Sequence, residues 1–339
     1  MNFASDNVSP FCPEILAALT QEGKDNAPAY GGDDISQQLD TAFSQLFDTD
    51  VKVIPVATGT AANCISLSAL VSPYGGVICH HEAHINEDES TGVAFFTGGA
   101  KLLPMDGPTA KIEADALDRF IAGQANRGVH SVAPECVAIT QASELGTVYS
   151  VEEAHAIGDV CKKHGLRLFM DGARFANAVA HLGCHPADIT WKAGVDAVSF
   201  GATKNGAMAV DAIVLFDTNL KSRIEQARKR SGHLHSKHRY LATQLLAYVK
   251  NDVWLKNAGH ANDAATVLAD ILCQHGATLA HPSDGNELFV NLDADLAEKL
   301  RAAGVQFHPW PSLGATVYRF VAAWSTDIAQ VRELNARIS

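Results

Sequence analysis

Between residues 51 and 216 short apolar runs alternate with longer segments whose apolar positions recur every three or four residues. The short runs are VKVIPVA (51–57), GGVICHH (75–81), AKLLPM (100–105), CVAITQ (136–141), LRLFMDGA (166–173), DAVSFGA (196–202) and DAIVLF (211–216). Among the longer segments are TAANCISLSALV, IEADALDRFIAG and VEEAHAIGDVCKKHG, each with helical spacing. This succession predicts an α/β fold with a mostly parallel sheet covered by helices on both faces. From 219 to 275 the pattern stays helical apart from short breaks. Beyond Pro282 come ELFVNLD, a helical ADLAEKLRAAG, the runs VQFHPW and TVYRFVAAW, and a closing helical DIAQVRELNARI. That order predicts a small α+β C-terminal domain. The expected division is a large domain over 1–245, its first 15 or so residues an N-terminal arm, and a small domain over 246–339.

The chain of 339 residues is 47% hydrophobic and 19% charged, so it is long and apolar enough to bury a sizeable core. Its formal charge of −12 argues against a grip on nucleic acid or an anionic membrane and favours a small-molecule substrate. Seven scattered cysteines form no C-x-x-C pair and read as reduced packing residues. No apolar stretch approaches a membrane span, and MNFASDNVSPFCPEIL lacks the basic and apolar regions of an export signal, so a cytoplasmic protein is expected. The sequon Asn7-Val8-Ser9 has no meaning in that compartment.

Neither a Walker-type phosphate loop nor G-x-G-x-x-G after a strand is present. Three other features carry chemistry. The first strand runs into Gly59-Thr60-Ala61-Ala62-Asn63, which sets small residues and free N–H groups at a helix N-terminus, an anion site or simply a Thr-capped helix. Asp171 closes a strand that must be buried on both faces, at the end where α/β sheets bind ligands; Arg174 three residues on is its plain salt-bridge partner or a ligand group. Lys204, in SFGATKNGAM, follows a strand among small residues that leave room for a flat ligand joined to its amine; a solvated loop lysine is the alternative.

In this order the features resemble the fold type I enzymes dependent on pyridoxal phosphate, and more closely the low-specificity L-threonine aldolase family of the β-eliminating lyase group. The segments that carry the resemblance are FASDNVSP (3–10), AYGGDD (29–34), ATGTAAN (57–63), HINEDE (84–89), MDGARFANAVA (170–180) and YRFV (318–321), in family order over nearly the whole chain. The resemblance implies an aspartate aminotransferase-like fold and pyridoxal 5′-phosphate joined to Lys204 as a Schiff base. It implies that Asp171 partners the pyridine nitrogen, that Gly59 and Thr60 bind the phosphate, and that His84 stacks on the ring, with His80 and His81 as neighbours that compete for that position. Ser5, Tyr30, Arg174 and Arg319 would then hold the amino acid, the arginines by its carboxylate, with Arg174 also among the residues around the cofactor. The reaction implied is retro-aldol cleavage of L-threonine, L-allo-threonine or L-phenylserine to glycine and an aldehyde.

One segment departs from the family. Where its best-known members carry a His-Asn pair, this chain reads QASELGTVYS, with Glu144 at the histidine's position. This is similar to the phenylserine-aldolase-like branch and makes Glu144 a candidate base, its alternative a solvated loop carboxylate. The basic run RKRSGHLHSKHR (228–239) matches the region that the family brings across a dimer interface to the neighbour's phosphate, through Arg230 and Lys237. His233, His235 and His238 lack the carboxylate or cysteine framework of a metal site, and none is expected. A homodimer or homotetramer is implied, with no nucleic-acid or membrane partner. The rival readings are β-elimination or transamination on the same scaffold, and a binding protein that kept the fold without the cofactor.

Overall fold

The computed structural model describes residues 1–125 and 128–339. The seven apolar runs of the first half become seven strands of one sheet: β1 (Lys52–Val56), β2 (Gly76–His80), β3 (Lys101–Met105), β4 (Pro134–Thr140), β5 (Arg167–Gly172), β6 (Ala197–Phe200) and β7 (Asp211–Leu215). Their order is β1-β7-β6-β5-β4-β2-β3. Only β7 runs against its neighbours, pairing antiparallel with β1 and β6. Because β7 alone is reversed, the C-terminal ends of the other six strands and the start of β7 share one edge. That edge is where a mostly parallel sheet opens a crevice.

Local signals fix the helices around it. Helix Val151–His164 begins at a capping box, Ser150 with Glu153, and stops at Gly165 in the left-handed conformation. Helix Gly59–Leu70 is buried along most of its length, and the Thr58 hydroxyl accepts from the Ala61 N–H at 3.1 Å. Beneath β6 an aromatic cluster locks the sheet to its helices. Phe200 meets Phe43 edge-on at 5.2 Å, and Phe175 stacks on Trp254 at 6.3 Å. Burying each such ring removes roughly 1.5–3 kcal/mol worth of apolar surface from water. Gly158, inside its helix, lies against the Ala193 carbonyl, where a Cβ would collide.

The connector resolves into helices Lys221–Arg230, Arg239–Val249 and the long Val253–Gln274. A second, antiparallel sheet follows in the order β10-β11-β9-β8, built from β8 (Thr278–Leu279), β9 (Glu287–Asn291), β10 (His308–Pro309) and β11 (Val317–Val321). Helices Ala294–Ala302 and Ile328–Arg337 accompany it. VQFHPW departs from its expected strand: only His308–Pro309 pairs with β11, while Gln306 bonds to the N-terminal arm. The Phe3 N–H donates to the Gln306 carbonyl at 2.8 Å, and the Gln306 N–H to that of Met1 at 3.0 Å. The Phe3 ring packs against Phe320, so the arm is anchored on the C-terminal sheet. The short β8 is a strand the apolar pattern did not announce. Among the described residues no helix is long and apolar enough to cross a membrane.

Candidate active site

A cavity of about 290 Å³ opens at the shared strand edge. The charged and polar lining groups named here stand at or just beyond strand ends. Thr58, Gly59 and Thr60 follow β1, His84 follows β2, Thr140 ends β4 with Glu144 in the loop after it, Asp171 lies at the end of β5 with Arg174 just beyond, Lys204 follows β6, and Asp211 opens β7. The sheet topology, more than any local motif, brings these residues together.

Asp171 is buried and fully engaged. Its Oδ2 accepts from Asn63 Nδ2 at 2.7 Å, and its Oδ1 accepts from the Ala173 N–H at 2.9 Å and the Ser199 hydroxyl at 3.3 Å. The same Asn63 amide donates to Glu89 at 2.8 Å, and Glu89 Oε1 meets His84 Nδ1 at 2.8 Å. Glu89 raises the His84 imidazole's pKa against the opposing effect of burial. Ligand atoms of His84, Glu89 and Asp171 lie within 4.8 Å of one another, close enough to hold a cation. The Asn63 amide already supplies the positive hydrogens between the two carboxylates, so hydrogen bonding accounts for the cluster. Of the neighbouring histidines, His80 is buried with Nε2 on the Gly107 carbonyl, and His81 faces Asp106; His84 is the one that lines the cavity.

Glu144 is no solvated loop carboxylate. Its Oε1 accepts from the Thr140 hydroxyl at 2.6 Å and the His84 N–H at 2.9 Å, while Oε2 is buried without a partner. Burial pushes its pKa up to about 7, against the pull of those donors. Asp211 steadies the lysine-bearing turn: its Oδ1 accepts from the N–H groups of Ala202 at 2.8 Å and Thr203 at 3.2 Å. Lys204 itself has no hydrogen-bond or ion-pair partner among the described residues and faces the cavity.

Arg174 does not pair with Asp171. Its Nε and Nη2 grip Asp6 at 2.8 and 3.0 Å, and its Nη1 lies 2.9 Å from Glu287 Oε2. Burial alone would raise the Asp6 carboxyl, but Arg174 and Lys204 outweigh it and hold Asp6 low. Ser5 caps the turn that presents Asp6, accepting from the Asn7 N–H at 3.1 Å. Arg319, on β11, lies outside the cavity wall: its Nη1 is 3.8 Å from Glu287 Oε1 and its guanidinium covers Trp310. Tyr30, Arg230 and Lys237 do not line this cavity. Tyr30 is exposed under Lys229, and its N–H donates to the Ser236 carbonyl, so residues 29–31 and the basic run form one surface. His238 accepts from Arg228, and burial beside that cation pushes it down to about 4, while His233 accepts from the Ala57 N–H. All seven cysteines are free, five of them buried.

Sequence reasoning passed over Asp6, Asn63, Glu89, Asp211 and Glu287. The first three stand inside segments that carried the resemblance, and a polar residue inside an apolar helix, Asn63, was the available signal. Asp211 and Glu287 open apolar strands, and nothing local distinguishes them from strand-end carboxylates.

The site fits pyridoxal phosphate. A buried carboxylate stands ready for a ring nitrogen, a helix N-terminus for a phosphate, and a lysine without a partner for a carbonyl carbon. Comparison with known proteins agrees. The Beta-eliminating lyase family matches residues 2–295. A low-specificity L-threonine aldolase of Pseudomonas aeruginosa is 41% identical over 98% of this chain and 95% of its own length. A threonine aldolase of Leishmania major superposes with a TM-score of 0.92 at 26% identity, covering 99% of this chain and 98% of that one. A Thermus thermophilus aspartate aminotransferase variant, 15% identical, shares the fold with a TM-score of 0.71 over 99% of this chain and 94% of its own. Matched along nearly its full length by sequence and by fold, the chain belongs to the low-specificity L-threonine aldolases of the beta-eliminating lyase family, on the fold type I scaffold.

Proposed function

We propose that this protein cleaves L-β-hydroxy-α-amino acids, L-threonine, L-allo-threonine and L-phenylserine among them, to glycine and an aldehyde. Lys204 would hold pyridoxal 5′-phosphate covalently through its amine, Asp171 would keep the ring nitrogen protonated, and Gly59 and Thr60 would bind the phosphate. His84 would lie on the ring face. When bound, the cofactor supplies a sink for the electron pair released from the Cα–Cβ bond.

The rest of the work falls to the chain. Arg174, with Arg319 and Ser5 behind it, fixes the substrate carboxylate and so the direction of the bond to be broken. Glu144 Oε2 takes the proton of the β-hydroxyl; a carboxyl poised at about 7 is half ionised at neutral pH and suits that transfer. The observation that carries the reading is this convergence on one cavity of Lys204, Asp171, His84 and a half-buried Glu144 whose Oε2 is buried and unpartnered. Glutamate in place of the family histidine favours the phenylserine-aldolase-like branch. The surface made by Tyr30 and residues 228–239, with Arg230 and Lys237, completes the site of a second copy in a homodimer or homotetramer in the cytoplasm. The small domain from residue 246 carries Glu287 and Arg319 to the site's rim.

The test is incubation of the pyridoxal phosphate-loaded protein with the three substrates, measuring glycine and aldehyde. Equal amounts of glycine and aldehyde are expected, with L-phenylserine turned over well. Pyruvate with ammonia, or a keto acid, would replace the reading by elimination or transamination.

A further inference from the structure

The two arginines assigned to the substrate carboxylate are already engaged by a carboxylate of the protein. Glu287 is 1% exposed and reaches Arg174 Nη1 with one oxygen, at 2.9 Å, and Arg319 Nη1 with the other, at 3.8 Å. Asp6 takes the Nε and Nη2 of Arg174, so the end of that guanidinium left for a ligand is the one where Glu287 stands. The charged groups facing Glu287 are Arg174 and Lys204 from the large sheet's loops, Asp6 from the arm and Arg319 from β11. In the cofactor-loaded protein Lys204 is committed to the cofactor, which leaves two arginines against two carboxylates. The buried cluster is then neutral, and an incoming carboxylate makes it one charge too negative. Burying an uncompensated charge is expensive, and the cheapest relief is a proton on the group that ionises least readily. Asp6 is held low by its bidentate arginine, whereas burial raises Glu287.

We propose that Glu287 is a resident counter-ion of the arginine pair, displaced by the substrate carboxylate and taking up one proton from solvent as it gives way. Substrate affinity is thereby tied to pH through a residue that touches neither the cofactor nor the bond that breaks. Glu287 is a positioning residue: it keeps Arg174 and Arg319 converged before substrate arrives and surrenders them when it does. The turn that carries Glu144 packs directly on the Glu287 backbone: at Gly146, φ 72°, an added Cβ would stand 2.8 Å from the Glu287 carbonyl oxygen. This inference rests on the carboxylate-binding role assigned to Arg174 and Arg319.

The test uses 3-hydroxybutyrate, which carries threonine's carboxylate and β-hydroxyl without its amine and so binds without exchange at the cofactor. Calorimetric titration of the loaded protein at pH 8 in two buffers of different ionisation enthalpy counts protons per binding event. The cofactor's absorbance reports, and removes from the count, its own titration. Wild-type protein is expected to take up a proton on binding, and Glu287→Gln to bind about tenfold more tightly with that uptake lost. Equal uptake in both proteins, or binding by Glu287→Gln that is no tighter, overturns the proposal. Should Glu287→Gln not fold, wild-type affinity alone decides: it must weaken as pH rises from 6 to 9 beyond what the cofactor's titration accounts for, and a flat profile refutes the proposal. Failure of the aldolase reading shows separately, as absence of glycine from L-threonine, and leaves carboxylate binding measurable.

Discussion

Glu144 and His84 lie 60 residues apart in the chain, yet the carboxylate of one accepts the backbone N–H of the other at 2.9 Å. That bond ties the loop after β4 to the start of the short helix after β2, and it falls on Oε1, the oxygen that also accepts from Thr140. Oε2 is left to act. With the carboxyl near pH 7 and the ionised form active, kcat/KM for L-threonine is expected to rise with pH along a limb centred near 7. Glu144→Gln should abolish that limb and lower kcat by about 10²–10⁴-fold. A pH–rate profile of both proteins checks this, and an unchanged limb in the variant would assign the base elsewhere.

The same burial has a thermodynamic signature. Glu144 titrates at an ordinary 4.5 when unfolded and near 7 when folded, so between those values the unfolded chain has released a proton that the folded one keeps. Stability therefore falls as pH rises from about 4.5 to about 7, and the loss is complete above that. Glu144→Gln removes it, by up to about 3 kcal/mol. Melting temperatures of the two proteins should converge at pH 4 and separate in the variant's favour at pH 8. A constant difference would mean that the carboxyl is not desolvated.

Lys204→Ala is expected to abolish the borohydride-reducible attachment of pyridoxal phosphate while leaving the fold intact, because the Asp211 bonds to Ala202 and Thr203 that shape the turn use backbone N–H groups. Peptide mass mapping after reduction reads the outcome. A cofactor-bearing peptide in the variant would move the attachment to another lysine.

The large sheet was legible because its strands, apart from the edge strand β3, are largely buried on both faces and stand out as apolar runs between helical segments, down to β6 of four residues. Lys204, Asp171 and Gly59 were legible because each ends such a run in small residues. The partners that tune them were not. Asn63 meets Asp171 from 108 positions away, and Glu287 meets Arg174 across the two sheets. Contacts of that kind follow from strand order, which the apolar pattern does not encode. The run VQFHPW misled for a related reason: it divides between two partners distant in sequence, Gln306 meeting the N-terminal arm and His308–Pro309 meeting β11.

Close packing gives a prediction remote from chemistry. Gly158 lies in the helix Val151–His164, which packs on β5, with the Ala193 carbonyl where a side chain would be. Gly158→Ala gains helix propensity, about 1 kcal/mol. The collision is with backbone, which cannot rotate away, so displacement of the helix should outweigh that gain and lower stability by about 1–3 kcal/mol. Chemical denaturation measures the result, and a stabilised variant would show that the helix can slide at little cost.

Arg174 separates structural from substrate-binding charge. Its guanidinium makes three charged contacts, two to the buried Asp6 and one to the buried Glu287, while itself lining the cavity. A lysine keeps the charge but offers one nitrogen in place of a planar fork, so Arg174→Lys leaves Asp6 or Glu287 short of a partner. Breaking such a buried pair costs about 3–5 kcal/mol, and melting should fall accordingly. The kinetic effect is distinct. The clamp acts on the carboxylate in ground state and transition state alike, so KM for L-threonine should rise steeply while kcat falls less. Pyridoxal phosphate affinity should change far less than KM, since the main groups assigned to the cofactor are Lys204, Asp171, Gly59, Thr60 and His84, with Arg230 and Lys237 reaching the phosphate of a neighbouring copy. Equilibrium dialysis of the cofactor beside steady-state kinetics distinguishes the two effects. A variant that loses the cofactor while KM is unaltered would place Arg174 on the phosphate or ring, and the substrate carboxylate on some other cation.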